Sequence, residues 1–237
     1  MENKFKTVGI LGGMGPYASA NMYKLMVELA QKEFKAEQDN DFPPIIIYSL
    51  PLDGFDETGI VDKKLVLNQL IGGAKRLREA KCDFFVIACN TVHYYQDELR
   101  DNIGIPLLSI VDETIYEVEK QGIKKIGLLT SDSTASLKIY TQKLKKLGIE
   151  AICASEDEQK ELNNLILEVM GGRLNIQNKG RLLMVAKSLV DRGAEAIIIG
   201  CTELPLIDEL VKQNFKSFDA LEIISRHALN KAYGGKM

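Results

Sequence analysis

Residues 83–91 read DFFVIACNT, an apolar run that passes directly into a cysteine and two polar residues. Residues 195–203 read EAIIIGCTE and repeat this pattern later in the chain. Short apolar runs of this kind are typical of strands that are covered on both faces in a parallel sheet. Ligands of open parallel sheets bind beyond the carboxyl ends of the strands. The two runs therefore predict an α/β fold and place Cys89 and Cys201 at its binding edge.

The chain is duplicated beyond these two runs. Residues 125–130 read KIGLLT and correspond to residues 8–11, and a predicted helix follows each of them. The segments 110–115 and 217–222 also correspond. Self-similarity at this spacing indicates two structural repeats. We therefore expect two similar α/β halves, each with one cysteine at the carboxyl end of its third strand.

Hydrophobic periodicity and turn residues predict the individual elements. Strands are predicted at 6–11, 45–48, 83–88, 106–110, 125–130, 149–153 and 196–200, and helices at 17–35, 62–80, 92–101, 157–170 and 178–192. Because the run 45–48 is apolar throughout, we expect it to be buried on both faces. Strands that alternate with helices form open sheets with right-handed crossovers. The expected fold class is α/β, with two pseudo-symmetric Rossmann-like domains, each a mostly parallel sheet flanked by helices.

The duplication also predicts the domain boundaries. We place the first domain at 1–112 plus 213–237 and the second at 113–212. The first domain is discontinuous because the last helix, like its counterpart at 112–121, is expected to cross back to the opposite half. The active site is expected in the cleft between the domains, with both cysteines facing it.

Composition limits the possible function classes. The chain has 46% hydrophobic and 27% charged residues, a balance typical of globular proteins. Thirty Lys and Arg against 33 Asp and Glu, without a long basic run, predict no nucleic-acid partner. No apolar run is long enough to span a bilayer, so no membrane partner is expected. Four cysteines and no export signal are typical of a cytoplasmic protein with reduced thiols. The two histidines lie far apart without cysteines at ligand spacing, so we predict no metal site.

Cys89 and Cys201 differ from Cys82 and Cys153, for which we expect structural roles. Each of the first two ends a predicted buried strand and is followed by amide or hydroxyl residues at a predicted helix start. The free N–H groups and the dipole of such a helix stabilise negative charge. They would lower a thiol pKa from about 8.5 towards neutrality. Two such thiols at one cleft suggest two acid/base groups on either side of a single atom.

Three segments together resemble the signature segments of the aspartate/glutamate racemases, amino-acid racemases that work without pyridoxal phosphate. These segments are Gly12–Pro16, Cys89–His93 and Gly200–Pro205. They are most similar to the aspartate-racemase branch, in which Glu rather than His follows the second Cys-Thr pair. The resemblance covers nearly the whole chain. It implies racemisation of a small amino-acid substrate, no cofactor and a homodimeric assembly.

The resemblance also assigns site residues. Racemisation removes the α-proton from one face of an amino acid and returns a proton to the other, so Cys89 and Cys201 are predicted to act as base and acid. The predicted substrate-binding residues are Gly13, Met14, Asn90, Thr91, Thr202, Glu203 and Ser131. Glu203 is expected either to bind the substrate ammonium group or to support Cys201. His93 is expected to be structural or to tune Cys89.

Other interpretations remain open. Residues 13–18 also fit a loose dinucleotide fingerprint, but the following strand does not end in an acidic residue. Two-cysteine relatives include isomerases and decarboxylases of dicarboxylic acids, and a binding or thiol-switch protein without turnover is a further alternative. Aspartate-using relatives carry basic residues that here are missing from the loop 49–54 and replaced by Met170, with Arg173 just beyond. A neutral amino acid is therefore an open possibility as substrate.

Overall fold

A computed structural model describes residues 4–56 and 59–235. The chain divides into two compact units. The first unit comprises Met1–Phe55, Val61–Glu113 and Leu221–Met237, and the second comprises Asp56–Ile60 and Thr114–Ala220. Each unit is built around a parallel sheet flanked by helices, so the α/β prediction is confirmed.

The first half of the chain begins with a strand, a long helix and a second strand. Its elements are β1 (Val8–Gly12), α1 (Pro16–Phe34), β2 (Ile45–Ser49), β3 (Phe55–Asp56), β4 (Gly59–Ile60), α2 (Lys63–Glu79), β5 (Phe84–Ile87), α3 (Gln96–Ile103) and α4 (Ile110–Lys120). The parallel sheet of the first unit has the order β2-β1-β5, and β3 and β4 form a separate two-stranded sheet.

The second half repeats this order with shorter helices after its first strand. Its elements are β6 (Lys125–Leu129), α5 (Asp132–Ser136), α6 (Thr141–Lys146), β7 (Glu150–Ile152), α7 (Glu156–Met170), α8 (Ile176–Asp191), β8 (Ala196–Ile199), α9 (Glu209–Asn214), β9 (Ser217–Asp219) and α10 (Ala220–Ala232). The sheet of the second unit has the order β7-β6-β8-β9, and all its pairs are parallel.

Strand β2 corrects one prediction about burial. Among the described residues it pairs only with β1 and forms the edge of its sheet, and Ile47 on it is 41% exposed. By contrast, β1 and β5 are buried at every residue. An apolar run therefore identified the strand, but its position at the edge of the sheet leaves part of it uncovered.

The predicted strand at 106–110 is reduced to a single parallel bridge between Phe85 and Leu107. The chain turns into α4 at Ile110, because the carbonyl of Ser109 already accepts the helical hydrogen bond from Glu113. In the second unit the corresponding segment is a full strand, β9, whose residues pair with β8.

The pairing of β9 with β8 also shifts the predicted domain boundary. Residues 213–220 were assigned to the first domain, but they belong to the second unit because β9 completes its sheet. The last helix, α10, belongs to the first unit from Leu221 onward, and α4 belongs to the second unit from Thr114 onward. The second unit also includes Asp56–Ile60, which the sequence placed in the first domain.

Capping residues explain where the helices of the second unit begin. The Ser155 side chain accepts from the Glu158 N–H and the Glu158 carboxylate accepts from the Ser155 N–H, so α7 begins at Glu156. An equivalent pair, Asn175 and Asn178, starts α8 at Ile176, two residues before the predicted start. In the described residues, 4–56 and 59–235, no helix combines the length and the apolar character that crossing a membrane requires.

Glycines let helices approach the central strands of both sheets. A Cβ added at Gly127 in β6 would lie 2.6 Å from Ile197 Cδ1 and 3.0 Å from Leu189 Cβ on α8. At Gly9, its counterpart in β1, the nearest atoms are Cys82 Sγ and Leu77 Cδ1 at 3.1 Å. A side chain at Gly127 would therefore meet both the covering helix α8 and the neighbouring strand β8.

We predict that Gly127→Ala lowers the free energy of unfolding by about 1–3 kcal/mol, since the added methyl group overpacks a rigid interface. Chemical denaturation monitored by circular dichroism measures the change. Gly180→Ala on α8 is the matched control, because an added Cβ there meets no described atom within 4 Å. It should stabilise the helix by about 0.5–1 kcal/mol. Equal effects of the two substitutions would contradict the packing argument.

Candidate active site

The two cysteines occupy equivalent positions in the two units. Cys89 lies two residues beyond the end of β5, and Cys201 lies two residues beyond the end of β8. Both side chains are buried, at 5% and 6% exposure. Each cysteine therefore follows a fully buried strand at the carboxyl edge of its parallel sheet, as the sequence predicted.

The turns that follow the cysteines differ from the prediction. Cys89 is followed by a 3₁₀ turn at Thr91–Tyr95, and Cys201 by a shorter one at Leu204–Leu206. The α-helices begin only at Gln96 and Glu209. The 3₁₀ turn after Cys89 runs directly into α3, so helical backbone begins two residues after this cysteine, close to the predicted start at 92. The prediction is wrong at Cys201, where the α-helix begins only at Glu209, so the polar groups beside this thiol have the larger effect on its protonation.

Glu203 forms a short hydrogen-bonded cluster with its two neighbours. The Cys201 thiol donates to Glu203 Oε2 at 3.2 Å, and the Thr202 hydroxyl donates to the same oxygen at 3.1 Å. All three residues are buried. A sulfur that donates to a carboxylate carries its proton, whereas a thiolate there would face a like charge. The structure thus places Glu203 against Cys201, in keeping with the second of its two expected roles, the support of Cys201.

Cys89 has different neighbours. His93 Nδ1 lies 2.8 Å from the carbonyl oxygen of Cys89, and the His93 N–H donates to the carbonyl of Asn90 at 3.1 Å. Because a carbonyl oxygen only accepts, Nδ1 carries the hydrogen. Asn90, Thr91 and His93 are all buried. His93 therefore holds the backbone of the turn that carries Cys89.

The glycine loop after β1 is held by a residue that the sequence analysis missed. Gly13 has φ +97°, and a Cβ there would lie 2.3 Å from the carbonyl oxygen of Leu50. The hydroxyl of Ser19 accepts from the Gly13 N–H at 2.9 Å and donates to the Gly15 carbonyl at 3.0 Å. A hydroxyl one turn into a helix after a glycine loop could have indicated this role. Met14, in the same loop, is buried.

The corresponding loop after β6 holds Ser131. Its hydroxyl accepts from the Thr134 N–H at 3.4 Å and donates to Thr134 Oγ1 at 3.1 Å, so it caps α5. The hydroxyl of Ser133 donates to the Asp56 carbonyl at 3.1 Å. All three hydroxyl side chains are buried. They therefore give the second unit a polar loop at the same edge of the sheet as Cys201.

The remaining cysteines and histidine are separate from these turns. Burial raises the pKa of the Cys82 thiol, and partial desolvation also raises the pKa of Cys153, a residue that is exposed, despite the opposing charge of Arg192. His227 Nδ1 lies 2.6 Å from Glu113 Oε2. All four cysteines are free thiols. Across the described part of the chain, no group of three or more His, Cys, Asp or Glu side chains could hold a metal ion.

Neither the loop 49–54 nor Met170 supplies a cation for the side-chain carboxylate of an acidic substrate. Residues 49–54 contain neither Lys nor Arg. Met170 is half exposed at the end of α7, and the guanidinium of Arg173 donates to the Leu167 carbonyl of the same helix at 3.3 Å. Arg173 therefore folds back on the carboxyl end of α7.

Comparison with known proteins identifies clear relatives. A family model described as Asp/Glu/Hydantoin racemase matches residues 11–228. The chain is 27% identical over 223 residues to the broad specificity amino-acid racemase RacX of Bacillus subtilis (strain 168), covering 94% of this chain and 96% of that protein. The resemblance found in the three sequence segments is therefore confirmed.

Solved structures agree with this result. An aspartate racemase homologue from Pyrococcus horikoshii OT3 has a TM-score of 0.80 and 29% identity, covering 95% of this chain and 98% of that one. The aspartate racemase of Picrophilus torridus has a TM-score of 0.83 and 26% identity, covering 98% of this chain and 96% of that one. The fold is thus shared along almost the whole length of both relatives.

We predict that Ser19→Ala lowers the free energy of unfolding by about 1–3 kcal/mol, because the substitution leaves the Gly13 N–H and the Gly15 carbonyl without their hydroxyl partner. Urea denaturation measures the loss. Ser136→Ala, at an exposed position, is the control and should change stability by less than about 0.5 kcal/mol. A neutral Ser19→Ala substitution would show that the hydroxyl does not hold the loop.

Proposed function

The chain belongs to the Asp/Glu/hydantoin racemase family, and from this premise we propose that it racemises an amino acid with Cys89 and Cys201 as its two acid/base groups. The equivalent position of the two cysteines, each two residues beyond a buried strand in a duplicated unit, is the observation that carries the proposal. The proposal requires the two thiols to face opposite sides of one substrate.

The resting protonation of the pair follows from the neighbours of each thiol. The Cys201 thiol keeps its proton and donates a hydrogen bond to Glu203, so Cys201 is the acid of the free enzyme. Cys89 is then the base that removes the α-proton of the first enantiomer. The two roles exchange for the other enantiomer, since each proton transfer leaves the pair in the opposite state.

The carbanion formed in this reaction needs stabilisation by the protein itself. We assign this role to the side chains and backbone N–H groups of Asn90, Thr91 and Thr202, which are buried beside the two cysteines. Donors fixed in a site of low dielectric stabilise developing carboxylate charge more strongly than water does. Gly13, Met14 and Ser131 complete the proposed substrate contacts.

A neutral amino acid fits the site better than an acidic one. Recognition of a side-chain carboxylate usually relies on a charge-assisted pair with Arg or Lys. The loop 49–54 offers none, and the guanidinium of Arg173 donates to the carboxyl end of α7. The similarity to a broad specificity racemase supports the same interpretation. We further propose a cytoplasmic homodimer, the first from the four free thiols and the second from the family resemblance.

We predict that the wild-type protein racemises several neutral amino acids faster than aspartate or glutamate. Chiral chromatography across the full set of protein amino acids measures this. Cys89→Ser and Cys201→Ser should each reduce racemisation by at least about 10³-fold, since each removes one of two required proton carriers.

The exposed residue Cys153 provides the control, and Cys153→Ser should retain full activity. In D₂O a single-cysteine variant can still exchange the α-proton of one enantiomer without inverting it. Full racemisation by Cys89→Ser would exclude the two-thiol mechanism. If the wild-type protein turned over no amino acid and formed a Cys89–Cys201 disulfide, a thiol switch would be favoured over a racemase.

We predict that Glu203→Gln lowers kcat/KM by between about tenfold and a hundredfold, because it keeps the shape of the side chain but removes the charge that keeps Cys201 protonated. Enantiomers have equal free energies, so the loss must be equal in both directions. Initial rates from each enantiomer measure it. Glu209→Gln on the exposed face of α9 is the control. Unchanged kcat/KM in Glu203→Gln would remove Glu203 from the proposed machinery.

A further inference from the structure

A basic residue stands eleven positions after each cysteine. Arg100 follows Cys89 by eleven residues and lies in α3, and Lys212 follows Cys201 by eleven residues and lies in α9. Each forms an ion pair with an aspartate, Asp112 or Asp219, in the segments that correspond in the duplication. An ion pair of a basic residue and an aspartate therefore occurs in each unit, and its basic residue stands eleven positions after the cysteine in both.

In the second unit the carboxylates of the pair are nearly enclosed, whereas the Lys212 side chain is 36% exposed. Lys212 Nζ lies 2.7 Å from Asp219 Oδ2 and 3.0 Å from Asp208 Oδ2, and the two aspartate side chains are 4% and 5% exposed. Burial alone would lower the pKa of Lys212, but the two carboxylates raise it above its ordinary value. Lys212 therefore remains charged and neutralises both buried carboxylates.

The pair in the first unit is more exposed and has a neutral companion. Arg100 Nη2 lies 2.9 Å from Asp112 Oδ2, and about a third or more of each side chain is exposed. The hydroxyl of Ser109 donates to Gln96 Oε1 at 3.0 Å in a buried contact. Gln96 stands seven residues after Cys89, as Asp208 stands seven residues after Cys201. The two networks are thus equivalent in position and different in charge.

These contacts join the two ends of each turn that carries a cysteine, and the closed stretch of chain is called a ring below. Asp219 pairs with Ile199 in the parallel ladder of β8 and β9. The chain then runs from Ile199 through Cys201 to Lys212, which returns to Asp219. In the first unit the bridge of Phe85 and Leu107 and the pair of Arg100 and Asp112 close the corresponding ring around Cys89. A turn that is fixed at both ends has fewer conformations than one fixed only by its strand.

We propose that Lys212 and Arg100 are positioning residues, each of which holds the turn that carries the cysteine of its own unit. Neither touches the substrate in this assignment. Their effect on racemisation rests on the proposed function. It is expected because even a small displacement of an acid/base group lowers the rate of proton transfer. Their effect on the turns themselves does not depend on any activity.

The test measures the reactivity of each cysteine separately in the folded protein. Iodoacetamide alkylation followed by peptide mass spectrometry gives the rate at Cys89 and at Cys201, with exposed Cys153 as the internal reference. Lys212→Met should raise the rate at Cys201 by about tenfold and leave Cys89 unchanged, because only the second ring opens. Arg100→Met should raise the rate at Cys89 by about threefold and leave Cys201 unchanged, since its ion pair is more exposed.

Matched variants separate positioning from general stability. Lys212→Arg keeps the charge and should restore slow alkylation, and Lys187→Met, which breaks an exposed pair on α8, should alter neither cysteine. If Lys212→Met does not fold, Asp219→Asn opens the same ring and retains the shape of the side chain. A parallel rise at both cysteines, or no rise at either, would overturn the proposal.

Kinetics distinguish this inference from the proposed function. In a protein that racemises, Lys212→Met should lower kcat and leave KM near its wild-type value, since substrate contacts stay in place. A selective change in alkylation without any racemase activity in the wild type would retain the positioning role and reject the function. Lower activity with unchanged alkylation would reject the positioning role alone.

Discussion

Parallel pairing of the strands is the constraint on which the rest of the structure depends. In a parallel sheet all strands end at the same edge, so whatever follows them is gathered there. In the second unit β6, β8 and β9 bring the polar loop of Ser131, the thiol of Cys201 and the carboxylate of Asp219 to one edge. The first unit repeats the arrangement with the loop of Gly13, Cys89 and Asp112, although its last strand is a single bridge. Duplication of one ordinary α/β unit is therefore enough to supply two similar thiols.

The surroundings of the two thiols nevertheless differ, and the difference comes from the buried carboxylate of Glu203 beside Cys201. A carboxylate at the position of Glu203 is nearly inaccessible to water, so it needs donors, and both Cys201 and Thr202 donate to it. Beside Cys89, His93 instead contacts a backbone carbonyl. The resulting asymmetry cannot favour one enantiomer at equilibrium, because enantiomers have the same free energy. In the two-thiol mechanism that we propose, it decides only which thiol holds the proton when the site is empty, because two thiols or two thiolates would be inactive as an acid/base pair.

The sequence predicted those features that depend on local composition. The buried strands β5 and β8, the equivalent cysteines and the α/β class all follow from apolar runs and from the repeat. Features that depend on neighbours in space were missed: Ile47 is exposed because β2 lies at an edge, and 106–110 is not a strand because the chain turns into α4 after Ser109. The ring formed by Lys212 likewise depends on the pairing of β9 with β8, which places Asp219 beside the thiol-bearing turn. Asp219 was therefore not recognisable as a support of the site from composition alone, whereas the position of Ser19, one turn into a helix after a glycine loop, was a usable signal.

The chemistry of racemisation explains why a site of this kind can accept many substrates. The reacting atom carries an ammonium group, a carboxylate and a proton in every amino acid, and the groups proposed to act on them lie in turns beside the cysteines. Selectivity for an acidic side chain would need a further buried cation, whose desolvation is repaid only when the matching carboxylate is bound. Arg173 is instead occupied by the end of α7, and the loop 49–54 contributes no charge. Without such a cation, as we propose, the site would lose little when the side chain changes, and a broad substrate range would follow from the missing charge rather than from looser packing around the thiols.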